Sequence, residues 1–361
     1  MDTKKAPGGA SEQALSSDAK IGILSDIAKE KPENYEGFTT KVDLKNVGVN
    51  ITNEPFEDNE GGLLIVKPAN VWVEEAAKRP DPKPLWGEFW FEGELCCLFA
   101  DTNVGKSIYA VQIASSIARQ RPIIYFDFEL SDKQFQLRCT GENGELYTFP
   151  DNLYRVEIDP AKMDVTEFEN VILNEMERAA ITVSAEILII DNLTWIASNV
   201  EKGDAAGILM KNLSGLKRKH GWSILVISHT PKRIMTEPIT QNNLNGSKKL
   251  ANFFDSMFAI GYSAKDDNLR YIKQIKIRYG KSSHGANNVV VAEIEKCGNL
   301  VQLKTIGYST EEEHLKKMTA KDKESIEMRM KELREKGLSY DAISKELGVS
   351  KSSVQRYFKQ H

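Results

Sequence analysis

Short apolar runs alternate with stretches of helical period through the middle of the chain. From Leu85 to about Gly307 the runs ELCCLFA, IIYFDFEL, EILIIDN and WSILVISHT have the length and continuity of strands buried on both faces. Between them, SIYAVQIASSIARQ and GILMKNLSGLKRKHG read as helices. This rhythm predicts an α/β fold with a mostly parallel central sheet covered by helices. Further on, NLRYIKQIKIRYG, NVVVAEIEK and LVQLKTI are strand patterns with no helix between them. They predict an antiparallel hairpin extending the same sheet.

The flanks read differently. Residues 1 to about 19 are rich in Gly, Ala, Ser and Lys and are expected to be disordered. IGILSDIA reads as a short helix, GGLLIVKP as a short strand or docking segment, and PANVWVEEAAKRPDPKP as a short helix closed by prolines. No role is legible for residues 1–69. Residues 308–325, charged and poor in apolar side chains, read as a linker. Residues 326–361 form a small all-α unit. A helix from about Ser325 to Lys336 stops at Gly337, Ser339 caps YDAISKEL, Gly348 ends it, and Ser350 caps a last helix running to Lys359. Ala342, Ile343, Leu347, Val349, Val354 and Tyr357 fall at core spacing. This is a helix-turn-helix pattern and resembles that of resolvases and transcriptional regulators. Its last helix would turn Lys351, Ser352, Ser353, Gln355 and Arg356 outward, toward DNA. The expected domains are therefore 1–69, an α/β core at 70–307, the linker at 308–325 and the C-terminal helices at 326–361.

Composition narrows the class only a little. The chain has 361 residues, 41% hydrophobic and 28% charged, as in ordinary globular proteins. A net charge of -4 gives no global sign of nucleic-acid binding, so such a role must rest on local patches. Cys96, Cys97, Cys139 and Cys297 lack C-x-x-C spacing, which argues against structural zinc and fits a reducing cytoplasm. Cys96 and Cys97 are adjacent in a strand and should face opposite ways. No apolar stretch approaches the roughly 18–20 residues of a membrane span.

The candidate chemistry lies at the ends of the buried runs. Ala100, Asp101, Thr102, Asn103, Val104, Gly105, Lys106 and Ser107 form A-x-x-x-x-G-K-S between a strand and a helix. This is a phosphate-binding loop whose first glycine is replaced by alanine. Backbone N–H groups at a helix start would cradle phosphate oxygens, Lys106 would reach the β/γ-phosphates, and the Ser107 hydroxyl would hold Mg²⁺. Alanine is harmless at the first position if its φ is negative. EILIIDN ends in Asp191, suited to hold Mg²⁺ through water. IIYFDFEL is read as a strand ending in Glu129, which would polarise an attacking water; Asp127, on the same face, is the competing carboxylate. ILVISHT ends in His229, where a γ-phosphate would be sensed.

This order of motifs resembles RecA-type ATPases, more narrowly the RepA-like hexameric helicases of plasmids and their AAA-annotated relatives on mobile elements. It is similar, more distantly, to DnaB helicases and RadA. FELSDKQFQLR, NGSKKLANFFDSMFAIG and KIRYG add to the likeness, the second read as a helix leading into a strand. The resemblance spans roughly residues 70–307. It implies that Glu129 orients water, that His229 senses the γ-phosphate, and that Lys276 and Arg278 reach ATP on a neighbouring subunit. It thereby implies a homo-oligomer, a hexameric ring in those helicases, using ATP and Mg²⁺ on single- or double-stranded DNA in replication or mobilisation. The long polar connection TPKRIMTEPITQNNLN would face the channel, with Lys232, Arg233, Lys248 and Lys249 contacting phosphates.

Overall fold

The structure, a computed structural model, describes residues 49–51, 64–159, 161, 168–196, 203–231, 235–244, 250–317, 320–347 and 349–360. The expectations for 1–19 and for IGILSDIA lie outside these residues. Two compact units divide the chain at Pro80. In the first, β1 (Val49–Ile51) pairs in parallel with β2 (Leu64–Val66), and α1 (Ala69–Ala77) follows, matching the strand and the proline-closed helix expected there. Lys67 pairs with Glu75 across the first turns of α1.

In the second unit, β3 (Pro84–Trp86) and β4 (Trp90–Phe91) make a small hairpin. Then come β5 (Leu95–Ala100), α2 (Lys106–Ile117), β6 (Ile123–Asp127), α3 (Asp132–Arg138), β7 (Leu153–Val156) and α4 (Phe168–Thr182). The chain continues through β8 (Ile187–Asp191), the short α5 (Leu193–Ile196), α6 (Gly203–His220) and β9 (Ser223–His229). Four strands follow with no α-helix between them: β10 (Ser256–Tyr262), β11 (Leu269–Lys276), β12 (Val289–Cys297) and β13 (Leu300–Ser309). All nine strands from β5 join one sheet in the order β13-β12-β11-β10-β5-β9-β8-β6-β7. β10 through β7 run parallel, while β11, β12 and β13 add on antiparallel. The fold is thus α/β with a mostly parallel central sheet, as the apolar runs predict.

Every residue of β5, β6 and β8 is buried. Alternation then assigns successive side chains to two cores. Leu95, Cys97 and Phe99 pack with α4 and α6 on one face, whereas Cys96, Leu98 and Ala100 pack with α2 on the other. The two adjacent cysteines do face opposite ways, and all four cysteines are free thiols.

Three expectations need adjustment. β6 ends at Asp127, so Glu129 lies two residues beyond the strand. The cause is Asp127 itself: its carboxylate accepts the amide N–H of Glu129 and Leu130 and bonds Arg155, turning the chain out of the sheet. In NGSKKLANFFDSMFAIG, residues 245–249 lie outside the described residues, and the described part contains only a 3-10 turn at Leu250–Asn252 before β10. Finally, much of the segment read as a linker is ordered. Tyr308 and Ser309 complete β13, and a 3-10 turn at Glu311–His314 buries both of its named ends. Its acidic residues mislead because one of them, Glu311, pairs with the buried Lys273.

At the C-terminus, α7 (Ala320–Glu335), α8 (Tyr340–Leu347) and α9 (Lys351–Gln360) pack around Met330, Leu333, Ile343, Val349 and Val354. Gly337 takes φ +81° after α7, and Ser339 and Ser350 cap the next two helices. No helix among the described residues is long and apolar enough to cross a membrane.

Candidate nucleotide site

The parallel register gathers the candidate residues at one edge of the sheet. Ala100 at the end of β5 lies beside His229 at the end of β9, and Asp127 of β6 lies beside Asp191 of β8. β9 separates the loop strand β5 from β8, so a carboxylate and a phosphate loop face each other across one strand. Ligands of open α/β sheets bind at this carboxyl edge.

The loop itself resolves the question of its missing glycine. Ala100 is the last residue of β5, fully buried in the core beside α2. Among the described non-glycine residues only Asn103 and Ser184 take positive φ, so nothing at Ala100 demands glycine. The residue that does is Gly105, at φ +106°, immediately before α2. The Lys106 ammonium is buried and donates to the carbonyls of Ala100 (3.0 Å) and Asp101 (2.8 Å). Burial pulls its pKa down, opposed by Asp191, Glu129 and Asp101.

Two side chains far along the sequence hold the same loop. Tyr262 Oη donates to the Thr102 carbonyl at 3.1 Å, and Arg270 Nε donates to the Val104 carbonyl at 2.9 Å. The Arg270 guanidinium lies over the Tyr262 ring, 4.5 Å from its centroid. Thr230 closes the other side, its hydroxyl on the Asp101 carboxylate and its N–H on the Ala100 carbonyl. The carbonyls of Thr102 and Val104 are thus held by side chains of β10 and β11.

Across from the loop sit the carboxylates. Asp191 is buried, with Tyr125 Oη donating to its Oδ2 at 2.6 Å. Its Oδ1 forms no hydrogen bond, although the Ser107 hydroxyl lies close enough to lower the carboxyl's proton affinity. An unpartnered buried carboxylate oxygen beside a hydroxyl fits a hydrated magnesium ion, which needs few protein ligands once phosphates supply the rest. Burial nevertheless pushes the Asp191 pKa up to about 6, with Glu129 and Asp127 adding to the rise.

Glu129 is joined to the site by a residue the sequence reading passed over. Asn192 Nδ2 lies 3.0 Å from Glu129 Oε2 and 3.2 Å from His229 Nε2, while its Oδ1 accepts from the Trp195 amide. With Asn192 as donor, His229 Nε2 is an acceptor and the ring is neutral. Burial, followed by Lys106, lowers the His229 pKa and favours that form. The only sequence signal for Asn192 is its place directly after the acidic strand end. Asp127, the competing carboxylate, is consumed by its backbone caps and Arg155, which leaves Glu129 as the carboxylate turned toward the loop.

The structure thus brings Lys106, Ser107, Asp191, Glu129 and His229 together. Lys276 and Arg278 lie elsewhere. Lys276 aligns with Met257 at the start of β10 and donates to the carbonyls of Ala251 (2.9 Å) and Phe254 (2.7 Å). Arg278 bonds Asp255 and the Asn252 carbonyl, and Asp255 in turn accepts the N–H of Leu95, the first residue of β5. Both cations therefore sit toward the opposite edge of the sheet from the loop. Lys232, Arg233, Lys248 and Lys249 lie outside the described residues. Lys351, Ser352, Gln355 and Arg356 are exposed on α9 and Ser353 is half-buried; Lys351 bonds Asp341 at 2.8 Å.

One consequence of this geometry is a cost in stability. The Asp191 carboxyl ionises near 3.8 when unfolded and near 6 when folded, so the folded state binds the extra proton between these values. Stability is then lost as pH rises through that window, by up to about 3 kcal/mol. Asp191→Asn is expected to raise the unfolding free energy at pH 8, with a smaller gain at pH 5. Chemical denaturation at the two pH values checks this; an equal effect at both would refute it.

A sequence-family model described as an AAA domain matches residues 65–235, a span that includes the loop, Glu129, Asp191 and His229. No curated protein sequence matches the chain. Many solved structures show similarity. One is a KaiC-like protein from the hyperthermophilic archaeon Pyrococcus horikoshii OT3, 15% identical, aligned over 59% of this chain and 90% of that one, with a TM-score of 0.44. The AAA-domain match and the loop geometry together support a P-loop ATPase core.

Proposed function

We propose that this protein is an ATP-hydrolysing, DNA-binding motor of the RecA-like kind that works as a ring, hexameric by resemblance to the RepA-like helicases. Replication or mobilisation of a plasmid or other mobile element is the role that resemblance favours. The convergence of Lys106, Ser107, Asp191, Glu129 and His229 on one sheet edge carries the reading.

In this account the loop amides and Lys106 hold the triphosphate, and Ser107 and Asp191 keep magnesium beside it. Magnesium held by these two residues would supply positive charge to offset the negative charge of the phosphates. Glu129 takes the proton of the attacking water. Asn192 fixes the Glu129 carboxylate and links it to His229, placed to register the terminal phosphate. Lys276 and Arg278 serve the next copy. β5 spans six residues, about 20 Å at ~3.3 Å each, and these cations lie toward its far end, a separation that favours a role in trans over one at the loop of their own chain. DNA contacts fall to Lys232, Arg233, Lys248 and Lys249 near the channel. On α9 they fall to Lys351, Ser352, Ser353, Gln355 and Arg356, near the start of an exposed helix.

ATP turnover with and without single-stranded and duplex DNA, together with displacement of a labelled strand from a forked duplex, tests this reading. The expected result is DNA-stimulated turnover with ATP-dependent displacement. Stimulated turnover without displacement would replace the motor with an ATP-switched DNA-binding regulator, and turnover indifferent to every DNA would remove the DNA role.

A further inference from the structure

Thr102 and Val104 alternate along the nucleotide loop with Asn103 and Gly105, and the latter two take left-handed backbone, at φ +62° and +106°. Glycine adopts this region freely and asparagine at some cost, so contacts elsewhere must hold the chain at Asn103. Two such contacts are Tyr262 Oη on the Thr102 carbonyl at 3.1 Å and Arg270 Nε on the Val104 carbonyl at 2.9 Å. The peptides after Thr102 and Val104 are trans, so each held carbonyl points the opposite way from the N–H of the next residue. Fixing the Thr102 carbonyl therefore fixes the direction of the Asn103 N–H, and fixing the Val104 carbonyl does the same for Gly105. Both N–H groups face away from the side chains that hold the carbonyls. Neither donates to an acceptor among the described residues.

The two holding side chains are themselves fixed. Tyr262 and Arg270 stand directly opposite each other on β10 and β11. The Arg270 guanidinium lies over the Tyr262 ring, and its Nη1 donates to the carbonyls of Asp267 (2.6 Å) and Leu269 (2.8 Å), where the chain turns into β11. Arg270 is buried, yet its hydrogen bonds go to the carbonyls of Val104, Asp267 and Leu269. A buried charge is a costly way to fill space where an apolar side chain would serve. What the guanidinium adds is a set of donors in fixed directions. β10 also pairs with β5, the strand that leads into the loop, so the base of the loop and its two holding side chains belong to one sheet.

We propose that Tyr262 and Arg270 are positioning residues for nucleotide binding: by holding the Thr102 and Val104 carbonyls, they aim the Asn103 and Gly105 N–H groups at the phosphates of ATP. Tyr262 acts through Asn103 and Arg270 through Gly105, both by way of the loop backbone. Donors aimed before the ligand arrives bind an anion more tightly than donors that must first be turned, because their ordering cost is met on folding. This role rests on the reading of the loop as the triphosphate site. It extends that site into β10 and β11, beyond the residues 65–235 matched by the AAA-domain model.

The test uses the full chain with magnesium and ATP. Tyr262→Phe removes one hydroxyl and keeps the ring against the guanidinium. It is expected to weaken ATP binding, read by titration calorimetry, by about fivefold, the scale of one hydrogen bond, and to raise KM in step while kcat stays within roughly twofold. Arg270→Met is expected to weaken binding by roughly tenfold or more, as for a charged donor. Tyr109→Phe is the control. The Tyr109 hydroxyl, on α2, accepts from Trp86 Nε1 at 2.8 Å and touches no loop carbonyl, so its loss should leave ATP affinity within roughly twofold. Unchanged affinity in Tyr262→Phe, or a fall in kcat at unchanged affinity, would overturn the proposal, as would equal weakening in Tyr109→Phe. If Arg270→Met does not fold, Tyr262→Phe decides alone, because it changes no charge and little volume. An unaltered chain that binds no ATP removes the nucleotide reading itself, whereas ATP binding indifferent to these substitutions removes only the positioning role.

Discussion

Glutamine in place of Glu129 is expected to lower ATP turnover by roughly 10²–10⁴-fold, the range lost with a general base, while ATP binding is retained. The substitution keeps the shape of the side chain. Asn192 Nδ2, now 3.0 Å from Glu129 Oε2, would still find an amide oxygen to bond. Glu129 also lies close enough to Lys106, Asp191 and His229 to influence the proton affinity of all three. Removing its charge relieves repulsion toward a triphosphate, so affinity should hold or improve. Turnover and equilibrium binding of a fluorescent ATP analogue separate the two effects. Loss of binding in step with turnover would show Glu129 to be a structural support and not the base.

Arg278→Ala is expected to be as damaging, by roughly 10³–10⁵-fold in turnover, the range found for arginine fingers, and again with ATP bound. The mechanism differs, because Arg278 is joined to Asp255 at the start of β5 and cannot serve the loop at its other end. Mixing separates cis from trans. A chain carrying Arg278→Ala still offers an intact Glu129, and a chain carrying Glu129→Gln still offers an intact Arg278. At equal mixing about a quarter of the head-to-tail interfaces recover both groups. Turnover in the mixture should therefore exceed that of either variant alone. Absence of recovery at every ratio would place the site within one subunit.

The sequence made some of these features plain and hid others. Buried strands announced themselves because β5, β6 and β8 have water on neither face, so their residues are apolar in unbroken runs. Lys106, Ser107, Asp191 and His229 were visible because each stands where such a run stops, at the edge the parallel register shares. Tyr262 and Arg270 were not visible. They reach the loop only because β10 pairs with β5 and β11 with β10, a pairing between segments about 160 residues apart, the separation from Tyr262 to Thr102. Asp127 and Glu129 were equivalent in a strand pattern. What distinguishes them is Arg155, donated by the adjacent β7, which claims the first and leaves the second. Glu311 read as a solvated linker charge because its partner, Lys273, stands in a strand 38 positions earlier. Local pattern thus reports burial and strand ends well, and it cannot report which distant polar group answers which.

The central claim is that the segment around Lys106 binds and cleaves a triphosphate. Lys106 already sits within the loop, held by two of its carbonyls, and removing its charge should leave the sheet unaffected. The direct measurement is magnesium-dependent release of phosphate from ATP by the full chain and by Lys106→Ala at equal concentration, with both confirmed as folded. Steady turnover that disappears in the alanine variant is the predicted result. Equal turnover in the two chains, or an unaltered protein that neither binds nor cleaves ATP, would contradict it.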